Sequence, residues 1–212
     1  MYFANTHMHS TFSDGVYTPE QLVKLGKEEG YGAMLLSDHD TVSGLHFFEK
    51  AARREGILTM VASEIGALCS FGRCHIMCVD FNTENLAVRE LMRLTSGCTT
   101  ELTRYLFEEG MANGTMKKGV TWQDVLNEYP SQDYLCNNHI FELQKKRGIY
   151  TDEDYEKFFA DNFGIPKDRK YALERELGYI RPQAEENSRR TPCLSYRPNP
   201  TAAHCMPRPR RQ

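Results

Sequence analysis

The chain has 212 residues, 40% of them hydrophobic and 26% charged, enough for one substantial domain with its own core and ordinary for a globular protein. No apolar run approaches the roughly 20 residues that span a bilayer, and no basic stretch followed by an apolar one opens the chain, so neither membrane nor secretory placement is expected. The net charge of −3 conceals six Arg against two Glu from Pro182 to Gln212, which leaves an acidic body of 20 basic and 27 acidic residues.

An acidic body disfavours passive binding of a phosphate backbone over the whole surface and is compatible with a cluster of metal ligands. The seven cysteines include no CxxC pair, which fits a reducing cytoplasm better than a disulfide framework. Cys74 and Cys78 read as small hydrophobes in a strand.

In chain order, a short apolar run leads into His7-x-His9, with Asp14-Gly15 soon after. Residues i and i+2 of a strand share a face, so the two imidazoles aim at one point, and the loop returns the Asp14 carboxylate towards it. Thr18-Pro19-Glu20-Gln21 is a helix start, with Thr18 as cap and Gln21 completing a capping box. That helix ends near Gly30. Tyr31–Leu36 is a strand that runs into Ser37-Asp38-His39-Asp40-Thr41. A second helix covers about 42–55 and is closed by Gly56. Ile57–Ala62 is a strand ending at Ser63-Glu64, and Cys74–Phe81 is another that opens with His75. Strands separated by helices of this length imply parallel pairing and an α/β architecture, in which sites gather at strand ends.

Of His7, His9, Asp14, His39, Glu64 and His75, five fall at such ends or just beyond them, and the six hold four of the seven histidines. Imidazole and carboxylate together suit zinc, manganese or iron. Six such groups exceed what one tetrahedral ion uses, so two or three ions are expected. No Gly-x-Ser-x-Gly or phosphate P-loop is present, which argues against a covalent first step.

The later chain is predominantly helical. Residues 84–110 form a helix with Gly97 as a candidate break, Thr121 starts another, and His139 precedes one with the basic end Lys145-Lys146-Arg147. Asp152–Phe163 is one more. The Lys145–Arg147 run reads as a solvated helix end, and His46 as structural or surface. From Pro182 on, six prolines are interleaved with arginine and no amphipathic period survives, which is a disordered composition.

The pattern His7-x-His9-S-x-x-S-Asp14-Gly15, then Ser37-Asp38-His39-Asp40-Thr41, then Glu64-Ile65 and a His opening the next strand, resembles the PHP (polymerase and histidinol phosphatase) family. Its small stand-alone phosphoesterases act on nucleoside 3′,5′-bisphosphates and short RNA 5′ ends. The resemblance implies a distorted (β/α)7 barrel with a helical insertion and a trinuclear centre, commonly of manganese, with zinc, iron or magnesium as alternatives. It implies His7, His9, Asp14, His39, Glu64 and His75 as ligands, with Glu64 bridging, Asp40 as a catalytic or orienting carboxylate, and His139 as a substrate contact. His139 stands where the family often has Arg-Pro-His, here with Asn137 and Asn138 in the first two places.

The expected divisions are a metal-binding portion over 1–95, a helical substrate subdomain over 96–180 and a tail over 181–212. The expected function is hydrolysis of phosphate esters in a nucleotide or oligonucleotide by metal-activated water, with no membrane or stable protein partner. Two alternatives stand beside it: a phosphatase of histidinol phosphate or another small molecule, and a fragment that binds metal weakly without turnover. The second rests on the family's late Gly-Gly, His-Pro and Asp-x-His segments, which do not follow Ile180, so that a truncated or frame-shifted tail is expected.

Overall fold

Thr18 caps the first helix as its sequence dictates: its hydroxyl accepts from the Gln21 amide N–H at 3.3 Å, and the Gln21 side chain accepts from the Thr18 N–H at 2.8 Å. In the computed structural model, which describes residues 3–69, 72–160 and 162–177, that helix is α1 (Pro19–Glu28), preceded by β1 (Phe3–Asn5). β2 (Tyr31–Met34), α2 (Leu45–Glu55), β3 (Ala62–Cys69) and β4 (Gly72–Val79) follow. The remainder is helical: α3 (Leu86–Asn113), α4 (Trp122–Glu128), α5 (Asn137–Lys146), α6 (Tyr155–Ala160) and α7 (Lys167–Glu176).

β1 and β2 pair in parallel, and single parallel bridges join Ala33 to Leu58 and His39 to Glu64. The expected α/β character holds to that extent. The expected seven-stranded barrel does not: among the described residues there are two two-stranded sheets and no closed barrel. β3 and β4 form an antiparallel hairpin. Only residues 70 and 71 lie between them, and a parallel pair needs a crossover of about a dozen residues, so the chain has no way to pair them otherwise. The strand expected over 57–62 is reduced to the bridge at Leu58, and continuous pairing starts at Ala62.

Gly97 does not break α3. The roughly 1 kcal/mol that a helical glycine costs against alanine is small beside the burial of Met92, Leu102, Leu106 and Phe107 on the same helix. α3 therefore runs unbroken from Leu86 to Asn113. Residues 178–212 lie outside the described residues, as does the reading of that tail.

Two apolar clusters hold the described chain. Val23, Met34, Leu36, Phe48, Ala52 and Ile57 pack α1 and α2 against β2. α1 lies so close to β2 that a Cβ on Gly26 would sit 2.2 Å from the Met34 sulfur. The second cluster, which includes Leu106, Val125, Ile140, Phe141 and Phe158, joins the helices of the later chain. Phe48 is fully buried. Phe48→Ala is expected to lower the unfolding free energy by about 3–5 kcal/mol in a urea titration; a loss under about 1 kcal/mol would contradict the placement of this ring.

Candidate metal centre

The two-residue alternation begun in β1 continues past its end. Met8 turns into the core and is tied there by Ser37, whose N–H donates to the Met8 carbonyl at 2.8 Å and whose hydroxyl accepts from the Met8 N–H at 3.1 Å. His7 and His9 turn the other way, and their Nε2 atoms stand 2.8 and 3.2 Å from Glu64 Oε2.

Glu64 is brought there by backbone pairing. The His39–Glu64 bridge joins the end of the β2 segment to β3, with Asp40 N–H donating to the Glu64 carbonyl at 3.0 Å and Glu64 N–H to the Asp38 carbonyl at 3.2 Å. Across the hairpin Glu64 stands opposite Met77, so His75, two residues before Met77, lies diagonally on the same face. Its Nδ1 is 3.0 Å from Glu64 Oε1. The two oxygens of one carboxylate thus face separate groups of imidazoles.

Asp14 completes a third group. Its Oδ1 lies 3.6 Å from His9 Nδ1 and its Oδ2 lies 3.5 Å from His39 Nε2. Three sets of convergent ligand atoms result: His7, His9 and Glu64; His9, Asp14 and His39; His39, Glu64 and His75. The loop that delivers Asp14 folds back on itself, since Ser13 N–H and Gly15 N–H both donate to the Ser10 carbonyl at 3.0 Å. A Cβ on Gly15 would lie 2.1 Å from the His9 carbonyl oxygen, so only glycine fits there.

The electrostatics favour cation ligation. Burial pushes the Asp14 carboxyl up, but its bond with His39 and the charges of His39 and His9 outweigh this and hold it below the usual range. Burial likewise raises Glu64, and His39, His7 and His75 together more than reverse it. His9 is lowered, chiefly by burial. His39 is pushed down by burial but held above its ordinary value by Asp14 and Glu64. The carboxylates are therefore ionised and ready to ligate. The Nδ1 atoms of His9 and His39 are buried with no hydrogen-bond partner among the described residues, each facing a carboxylate oxygen at 3.6–3.7 Å. Such orphaned ring nitrogens beside carboxylates fit divalent ions, and the mixed N and O donor set suits manganese, iron or zinc.

Asp38, which the sequence marks only as part of the Ser37–Thr41 motif, organises the loop. Its carboxylate accepts from Ser10 N–H at 2.6 Å, from the Ser10 hydroxyl at 2.7 Å and from the Ser13 hydroxyl at 2.7 Å, all buried. Burial raises its pKa against these bonds. The available signal was an acid at the end of an apolar strand, next to a histidine. Asp40 is fully buried and holds a left-handed φ of 54°. It accepts from Gly66 N–H at 2.8 Å and from the Thr99 hydroxyl at 3.3 Å, and so ties β3 to α3.

His139 lies in the first turn of α5, 5% exposed, with both ring nitrogens against protein atoms. Nδ1 accepts from Cys136 N–H at 3.1 Å, and Nε2 faces the Thr11 carbonyl at 3.3 Å. The basic run beyond it is paired: Lys145 with Glu142 and Asp152, Lys146 with Glu128, and Arg147 with Asp124. His46 is exposed on α2, and Cys74 and Cys78 are half-buried thiols in β4.

The model of the PHP domain matches residues 5–174 of this chain. The chain belongs to the PHP domain family. Among curated relatives, a 5′-3′ exoribonuclease of Haemophilus influenzae is 33% identical over 87 residues, 41% of this chain and 32% of that protein. The DNA polymerase III subunit alpha of Aquifex aeolicus is 41% identical over 64 residues, 29% of this chain and 6% of the polymerase. This PHP chain thus spans about a third of the exoribonuclease and a small part of the polymerase.

Among solved structures, a Bifidobacterium adolescentis protein described as a metal-dependent phosphoesterase superposes with a TM-score of 0.62 at 22% identity, over 82% of this chain and 64% of its own. An amidohydrolase from Chromobacterium violaceum, solved with sulfate and without metal, gives 0.57 at 19% identity, over 72% and 53%. At these identities the likeness concerns the fold.

His139 also carries a pH dependence. Burial lowers its pKa from the ordinary 6.5 to about 4. The folded state therefore binds fewer protons than the unfolded one between those values. The stability it contributes is complete above about 6.5 and is lost as pH falls towards 4, about 3 kcal/mol in all. His139→Gln is expected to flatten the fall in urea-unfolding free energy between pH 7 and 4; an unchanged slope would place the titration elsewhere.

Proposed function

We propose that this PHP chain hydrolyses phosphate esters, with a nucleoside bisphosphate or the 5′ end of a short RNA as substrate, using ions held by His7, His9, Asp14, His39, Glu64 and His75. The observation that carries the reading is the position of Glu64, whose Oε2 faces His7 and His9 while its Oε1 faces His75. A carboxylate placed so serves two ligand sets at once. Divalent ions bound there supply Lewis acidity, which lowers the pKa of a water and offsets the charge on a phosphoryl oxygen.

The chain's own residues do the rest. Asp14 and Glu64 are anions, and the six residues include no Lys or Arg, so a phosphate could not approach this face without cations between. The imidazoles would hold those cations, and His9 stacks on His39 with centroids 4.4 Å apart and ring planes within 16°. Asp40 works from behind: by holding Gly66 and Thr99 it sets the strand from which Glu64 projects. The substrate class is supported by the name of the Haemophilus relative, an exoribonuclease, and by the acidic body, which disfavours long nucleic acid held by charge alone.

The test is a manganese-supplemented phosphate-release screen across a nucleoside 3′,5′-bisphosphate, a 5′-phosphorylated short RNA and histidinol phosphate, with metal content measured in parallel. Glu64→Gln is expected to lower turnover about a hundredfold or more and to reduce bound manganese, since even partners of ligands cost about 10–100-fold. Bound metal with no turnover on any substrate would overturn the catalytic reading and leave a metal-binding protein. Activity unchanged in Glu64→Gln would reject this site.

A further inference from the structure

The loop from Ser10 to Gly15 that carries Asp14 has neither strand nor regular helix to fix it. On one side Asp38 holds Ser10 and Ser13. From a segment more than 120 residues away, four side chains reach the loop's backbone carbonyls. Gln132 Nε2 donates to the Thr11 carbonyl at 2.9 Å, and His139 Nε2 faces the same oxygen at 3.3 Å. Cys136 Sγ lies 3.4 Å from the Ser13 carbonyl, and Asn138 Nδ2 donates to the carbonyl of Asp14 itself.

The same segment grips the stretch after His39 as well, because Asp133 Oδ1 accepts from the Thr41 and Ser43 hydroxyls at 2.8 and 3.0 Å. Packing of the helices alone would call for apolar contacts, which Leu135, Ile140 and Phe141 already supply. Ordering four polar side chains on one short loop costs conformational entropy. What these bonds have in common is the backbone that presents Asp14.

We infer that Asn138 is a positioning residue for the metal centre, one that sets the Asp14 carboxylate between His9 and His39 by fixing the Asp14 carbonyl. This rests on the reading of Asp14 as a ligand. The α5 start thereby becomes coupled to ion binding: a loop ordered by Asn138 binds the ion more tightly, and the bound ion in turn orders the segment 132–139. The side-chain amide is a donor of the required length, and Asn138→Leu has similar size with no donor.

The experiment is calorimetric titration of the full chain with manganese, paired with the melting temperature of the metal-free protein. Asn138→Leu is expected to weaken at least one class of manganese site about tenfold or more. Asn138→His, which keeps an N–H donor, is expected to recover most of that affinity, while the metal-free melting temperatures of the two variants agree. Should Asn138→Leu not fold, Asn138→Ala removes the same donor to the Asp14 carbonyl without a branched apolar group and serves the same comparison. Wild-type affinity and stoichiometry in the leucine variant, or no recovery with histidine, overturns the role of Asn138 while leaving the ligand set intact. A wild-type chain that binds no manganese overturns the assignment of Asp14, and the positioning role with it.

Discussion

The contact on which the described structure turns is the carboxylate of Glu64, held between the His7 and His9 imidazoles on one oxygen and His75 on the other. Its side chain is only 10% exposed. A buried carboxylate is costly unless cations or strong donors surround it, and here the His7, His9, His39 and His75 imidazoles stand within 3.7 Å of it. The arrangement demands precision from three separate chain segments, because a carboxylate shared among ligand sets tolerates little displacement. That demand explains why β3 is bonded to the segment after β2 through both backbone directions at His39 and Glu64.

Around this centre the chain spends polar groups where a plain core would use methylenes. Asp38 is buried under three donors, and Asp40 is buried in a left-handed backbone conformation that costs of order 1 kcal/mol or more. Ser10, Ser13, Ser37 and Ser63 are buried as well. Half-satisfied networks of this kind destabilise, and satisfied ones specify a single geometry. The buried polar groups thus act as the frame of the ligand cluster, while α1, α2 and the later helices supply the apolar burial that keeps the frame folded.

Much of this was legible residue by residue. The i, i+2 spacing of His7 and His9 carried their shared direction, because a side chain's face in extended backbone is a local property. The capping box at Thr18 and the glycine closing α2 at Gly56, with φ of 69°, are local in the same sense. The unbroken α3 was not legible at Gly97, where a weak local preference met burial supplied by distant residues. Nor was the hairpin of β3 and β4, since strand periodicity does not state which partner a strand takes. Asp38 carried no periodic signal at all, and its role exists only once Ser10 and Ser13 come to it from 28 and 25 residues away.

The sequence by itself determined which residue types are offered for ligation, four imidazoles and two carboxylates, and that His7 and His9 share one direction. Tertiary structure alone decided that Glu64 stands among three of those imidazoles at 2.8–3.2 Å and that Asp14 closes the set through His9 and His39. It decided too that a segment near residue 138 steadies the Asp14 loop. The division has a physical cause. Side-chain direction and helix ends follow from a few neighbouring torsions, whereas the meeting of His7-x-His9 with Glu64 requires strand pairing and core packing between His7 and a residue 57 positions further along the chain.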